Sequence, residues 1–169
     1  RDWSSDVCSS DLLTTSFERI MREAKGEGVP PPAAQRSMAP AELKRAVLEY
    51  ARSLGFASVG VTKVDRRFIA INADDEVVFD TIVILGYEIP REVLQRYPNP
   101  EHDTAAYYGY SHCARYVHQV ADFIRAQGYD CRARCWEGFI KYPIHAVNAG
   151  MGNFSTYGIC HTPEVGTRL

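Results

Sequence analysis

An α+β fold, arranged as a two- or three-layer α/β sandwich, is predicted by three features of this 169-residue sequence. Residues 41–54 repeat apolar side chains at helical spacing, residues 77–87 are a nearly continuous β-branched run, and residues 104–127 are helical again and much longer. Read in order, the chain gives helix, strand, strand, long helix, strand, helix, strand. That order does not follow a strict βαβ repeat. With 46% apolar residues, the chain can bury one sizeable core.

Each element has a local reason. Residues 1–12 have no periodicity and no initiator Met, and they resemble translated sequencing-adapter sequence; they are set aside as non-native, and Cys8 with them. Residues 13–39 carry Gly26, Gly28, Pro30, Pro31 and Pro32 and read as a partly helical arm followed by a linker. Leu43, Ala46, Val47, Tyr50, Ala51 and Leu54 then form one stripe of a helix that Gly55 ends. Residues 56–64, small and β-branched, suit a strand covered on both faces. A polar turn at 73–76 leads to the 77–87 strand, expected to lie centrally in the sheet. A loop with a short helical turn follows at 88–94, and the Pro-rich 97–100 breaks any helix. Ala114, Val117, Val120, Ala121 and Ile124 stripe the long helix, which Gly128 closes. Residues 129–133 read as a short strand, 143–149 as a helix closed by Gly150, and 156–161 as the last strand.

Composition excludes several classes. Nineteen Lys and Arg against twenty-one Asp and Glu leave a formal charge of −2, so no basic field points to nucleic acid. No apolar run is long enough for a membrane span, and the N-terminus carries no secretory signal, which makes a cytoplasmic location the expectation. The five cysteines form no CxxC pair and are expected to be ordinary thiols. HExxH, GxSxG, P-loop and strand-linked GxGxxG motifs are absent, and His112 and His118 fall on opposed helix faces, so no metal site is expected.

The site-building features lie near the end of the sequence. Gly150 and Gly152, around Met151, close a helical pattern before a short strand, where a missing Cβ lets backbone approach another backbone or a large flat ligand. A Thr-Pro-Glu-x-Gly turn follows at 162–166, with Arg168 beyond it and Glu164 as its nearest candidate partner. Glu137, Lys141, Tyr142 and His145 cluster in sequence, and Lys141 and His145, four apart, would share a helical face if the helix begins early enough. They are candidates for moving protons or binding a carboxylate. Tyr107, Tyr108 and Tyr110 gather large amphipathic rings near a helix start, where one could line a ligand cavity.

The block Ala149-Gly150-Met151-Gly152, five residues, then Gly158-Ile159-Cys160-His161-Thr162-Pro163-Glu164-Val165-Gly166-Thr167-Arg168 resembles one found in cobalamin- and iron–sulfur-dependent reductases, the reductive dehalogenases and epoxyqueuosine reductase. The helix leading into Gly55-Phe56-Ala57 and Val59-Gly60-Val61 resembles the family's opening, so the likeness covers residues 40–169. It implies a nitroreductase-like domain that cradles a corrin ring, in a fragment of a larger protein truncated before a ferredoxin-like domain with two [4Fe-4S] clusters. It also implies a small organic substrate, an electron donor such as ferredoxin or flavodoxin, and a homodimer as a compatible assembly. Carried over residue by residue, Gly150, Met151, Gly152, His161 and Tyr110 would contact cobalamin, and Tyr108, Glu137, Lys141 and His145 would be the candidates for acid–base work. Epoxyqueuosine reductase places an Asp-Ser-x-Pro before the glycines where this chain has Arg134-Cys135-Trp136-Glu137-Gly138, which disfavours queuosine chemistry. The function expected is removal of halide or oxygen from an organic substrate. The alternatives are an iron–sulfur electron-transfer protein on the same scaffold, an epoxyqueuosine reductase-like enzyme, a flavin-binding nitroreductase-like enzyme and a non-catalytic ligand-binding domain.

Overall fold

The computed structural model describes residues 10–71, 73, 76–95, 100–135 and 139–169. It is of the mixed α+β class, with α-helices and small antiparallel sheets. The chain divides into two compact units, one made of Arg1–Val47 with Ile89–Cys135 and the other of Leu48–Glu88 with Trp136–Leu169.

The first unit is helical. It holds α1 (Ser10–Ala24), the start of α2 (Pro40–Ser53), the single turn α3 (Arg91–Leu94) and α4 (Pro100–Ala126). α4 begins a turn earlier than the periodicity predicts because Pro100 stands at its first position, where its missing N–H costs nothing. α1 packs on α4 by placing Ile20 against Ala114 and Cys135, with Cys113 and Val117 beside them. The Pro-rich linker is docked on the end of α4: Ala33 N–H donates to the Arg125 carbonyl at 2.8 Å, the Tyr129 hydroxyl donates to the Met38 carbonyl at 3.0 Å, and the Arg36 guanidinium lies over the Tyr129 ring. The strand expected at 129–133 does not form. Its backbone is taken up by side chains, since Arg125 Nε donates to the Cys131 carbonyl at 2.8 Å and Ala133 N–H donates to Glu23 at 3.2 Å.

The second unit centres on β1 (Ser58–Lys63) and β2 (Thr81–Gly86), antiparallel, with Ser58 opposite Gly86 and Lys63 opposite Thr81. β2 is shorter than the 77–87 run, and it is not central: among the described residues it pairs with β1 alone. The ladder stops where Val64 N–H reaches the Asp80 carbonyl, and beyond it an Arg66 guanidinium, rather than a strand, approaches the Val77 carbonyl. Val77 is apolar because it is buried, not because it is extended in a sheet. Across this sheet lies α5 (Tyr142–Asn148), which leads into the hairpin of β3 (Asn153–Phe154) and β4 (Cys160–His161). The strand expected at 156–161 shrinks to its last two residues, because 155–159 form the hairpin turn, with Ser155 N–H bonded to the Ile159 carbonyl and Gly158 N–H to the Ser155 carbonyl. Ile84, Ala146, Met151 and Cys160 make the core beneath the hairpin. No helix among the described residues is long and apolar enough to cross a membrane.

Candidate functional site

The glycine segment at 150–152 is built from both of its ends. α5 stops where Ala149 N–H bonds the His145 carbonyl, Gly150 N–H the Val147 carbonyl and Met151 N–H the Ala146 carbonyl, a reversal that puts Gly150 at φ +78°. Among the described residues, nothing lies within 4 Å of where a Gly150 Cβ would be, so this main chain faces open space between them. Gly152 differs. A Cβ there would stand 2.0 Å from the His161 carbonyl oxygen, so its bare backbone is what lets the two hairpin strands close. Met151, 4% exposed, turns its side chain into the core and is buried as a whole residue. Phe154, Tyr157 and Ile159 are exposed apolar side chains of the same hairpin, and His161 is exposed as well.

The turn at 162–166 is closed by reciprocal backbone bonds between Thr162 and Gly166 at 2.8 and 2.9 Å, and the buried Thr162 hydroxyl accepts from Val165 N–H. Arg168 donates from two nitrogens to Glu88, at 2.7 and 3.2 Å, so its partner is Glu88 and not Glu164. Burial pushes the Cys160 thiol up, and the Glu164 carboxylate adds to that shift.

His145 is fully buried. Its Nε2 accepts the Asp65 N–H at 3.0 Å, and its Nδ1 lies 2.9 Å from the Lys141 carbonyl oxygen. Both ring nitrogens are therefore taken by backbone, and none remains for a substrate proton. Lys141 occupies the N-cap position of α5 with its side chain exposed, so the two residues meet through the Lys141 carbonyl rather than through a shared face. Asp65 in turn caps the 3₁₀ turn Arg66–Phe68 and holds the Arg67 guanidinium at 2.6 and 2.9 Å. That pairing keeps the Asp65 carboxyl at about 2, well below its ordinary value.

Of the residues predicted from sequence, Lys141, His145, Gly150, Met151, Gly152 and His161 fall in the second unit around α5 and the hairpin. Tyr108 and Tyr110 belong to α4 in the first unit, where Tyr110 is half exposed and the side chain of Tyr108 lies outside the described part. Glu137 lies outside the described residues. No group of acidic, His and Cys side chains suited to a metal ion occurs among the described residues.

Sequence reading missed a buried ion network in the first unit. Glu23 of α1 contacts His118 Nδ1 and accepts from Arg125 at 2.7 Å, while Arg125, 2% exposed, also donates to Asp122 at 2.9 Å. Burial pushes the Glu23 carboxyl up, but the bonds from His118 and Arg125 outweigh it and hold the group at about 2. A cavity of about 510 Å³ lies beside the network, lined by Arg19, Arg22 and Glu27 among others. Glu23 lies about a hundred residues from Arg125, and no local motif announces the pairing.

No family model matches the chain. Over 105 residues it is 30% identical to the tetrachloroethene reductive dehalogenase of Sulfurospirillum multivorans, a match covering 60% of this chain and 21% of that protein. The chain thus spans about a fifth of the length of the curated relative it matches.

Proposed function

We propose that this chain contributes the corrinoid-facing wall of a reductive dehalogenase-like oxidoreductase acting on a small organic substrate. The observation that carries the reading is the open main chain at Gly150, backed by the exposed apolar side chains of Phe154, Tyr157 and Ile159, in a chain with sequence likeness to a reductive dehalogenase. The residues fit a flat ring in part. Gly150 leaves room for it, and the hairpin offers apolar contact; Gly152 is occupied with closing the hairpin and Met151 with the core. When bound, a corrinoid supplies cobalt redox chemistry that side chains lack. The chain's own part is to exclude water with the hairpin's apolar side chains, to leave backbone room at Gly150, and to hold a proton at an exposed group such as Lys141 Nζ or the His161 ring. Tyr108 and Glu137 remain proposed proton donors on the family resemblance alone. Electrons would come from iron–sulfur clusters in a part of the protein beyond these residues, fed by a ferredoxin or flavodoxin.

The test is the visible spectrum of the intact protein purified without oxygen. Corrin absorption near one equivalent per polypeptide is expected. A protein holding iron but no corrinoid, even after reconstitution with hydroxocobalamin, would overturn the reading in favour of an electron-transfer protein.

A further inference from the structure

The segment at 150–152 is aimed by a helix of only seven residues, α5, which cannot hold its own direction. Its two ends are anchored by different means. At the far end, Gly60 of β1 brings its backbone against α5, where a Cβ would fall 2.6 Å from the Ala149 Cβ and 2.8 Å from the Met151 Cγ. At the near end, the first helical hydrogen bond is long, His145 N–H to the Lys141 carbonyl at 3.4 Å. The His145 ring supplies the shorter one, Nδ1 to the same carbonyl at 2.9 Å. A carbonyl only accepts, so Nδ1 carries the proton; the Asp65 amide only donates, so Nε2 carries none. These two bonds thus set a ring proton on Nδ1 and leave Nε2 as the acceptor.

We propose that His145 is a positioning residue: bridging the Asp65 amide and the Lys141 carbonyl, it sets the angle at which α5 presents the 150–152 main chain, resting on the reading of that segment as a cofactor wall. Backbone bonds run beside the ring, Lys141 N–H to the Phe68 carbonyl at 3.0 Å and Ala70 N–H to the Phe139 carbonyl at 2.7 Å. They join the strands' connecting segment to the approach to α5, but stop at Lys141. The imidazole is what extends the joint into the first turn of the helix. An acid–base role would need a free nitrogen, and the ring has none.

Three measurements on the whole chain test this. Imidazole ¹⁵N shifts should place the proton of His145 on Nδ1; an Nε2–H tautomer overturns the proposal without any variant being needed. His145→Gln keeps one donor and one acceptor at similar spacing, whereas His145→Phe keeps only the shape. Amide exchange at Asp65 and at 150–152 should quicken about tenfold in His145→Phe, the net worth of roughly one hydrogen bond, and recover in His145→Gln. A folded His145→Phe protein with unchanged exchange at 150–152 overturns the positioning role. Hydroxocobalamin titration then separates the two ideas. If the intact protein without the substitution binds and its His145→Phe variant binds about tenfold more weakly, both stand. If the intact protein without the substitution does not bind, the cofactor reading fails while the exchange data still decide the role of His145.

Discussion

Single atoms decide much of this fold. A Cβ at Gly152 would sit 2.0 Å from the His161 carbonyl, and backbone cannot rotate out of the way as a side-chain tip can. Gly152→Ala should therefore cost at least the ~1–3 kcal/mol typical of overpacking, read as a fall in the urea midpoint. Glu23 is the opposite case, a carboxylate whose removal takes a counter-charge from its partners. Glu23→Gln would leave the buried Arg125 paired with the more exposed Asp122, and a loss of about 1–3 kcal/mol is expected in chemical denaturation. The same group sets an acid response. Its folded value of about 2 lies below the ordinary 4.5, so its contribution is complete above pH 4.5 and is lost as pH falls from there toward 2. The slope of stability against pH in that window should flatten in Glu23→Gln. Nothing in the sequence near Glu23 marked its role, because its partners lie about a hundred residues away; for His145 the neighbour Lys141 was visible, but Asp65, about eighty residues away, was not.

At the level of elements, what could be read locally was what local physics determines. α2, the stripe of α4 and the stop of α5 before Gly150 follow from apolar spacing and helix termination, and all three stand in the structure within a turn of their predicted bounds. Strands were misjudged wherever apolar residues are buried for a reason other than pairing. Val77 packs outside the ladder with its carbonyl near Arg66, and the 129–133 backbone is bonded by Arg125 and Glu23. The packing of β1 on α5 is testable as a coupled pair. Gly60→Ala should destabilise the second unit by ~1–3 kcal/mol, and adding Ala149→Gly should return part of that loss, since the Ala149 methyl is the nearest obstacle. Equal costs for the single and double variants would mean that the contact does not hold the helix.

Across the whole chain, the candidate site was legible as a glycine-rich block but not as an arrangement. Gly150 and Gly152 were equivalent on paper, yet one faces open space and the other a neighbouring strand. Thiol chemistry shows the same dependence on surroundings. Burial raises Cys113 and Cys131 to about 11, so few of these thiols are ionised near neutral pH. Alkylation at pH 7.5, followed by mass spectrometry, should modify both slowly in the folded protein and fast in urea. The hairpin turn has a practical consequence of its own. Tyr157 stands 90% exposed at its tip, on a loop held by a few short bonds. Chymotrypsin should nick the polypeptide there before it reaches the interior, and a molecule seated against that face would be revealed, without any spectroscopic label, by the survival of the uncut band on a gel.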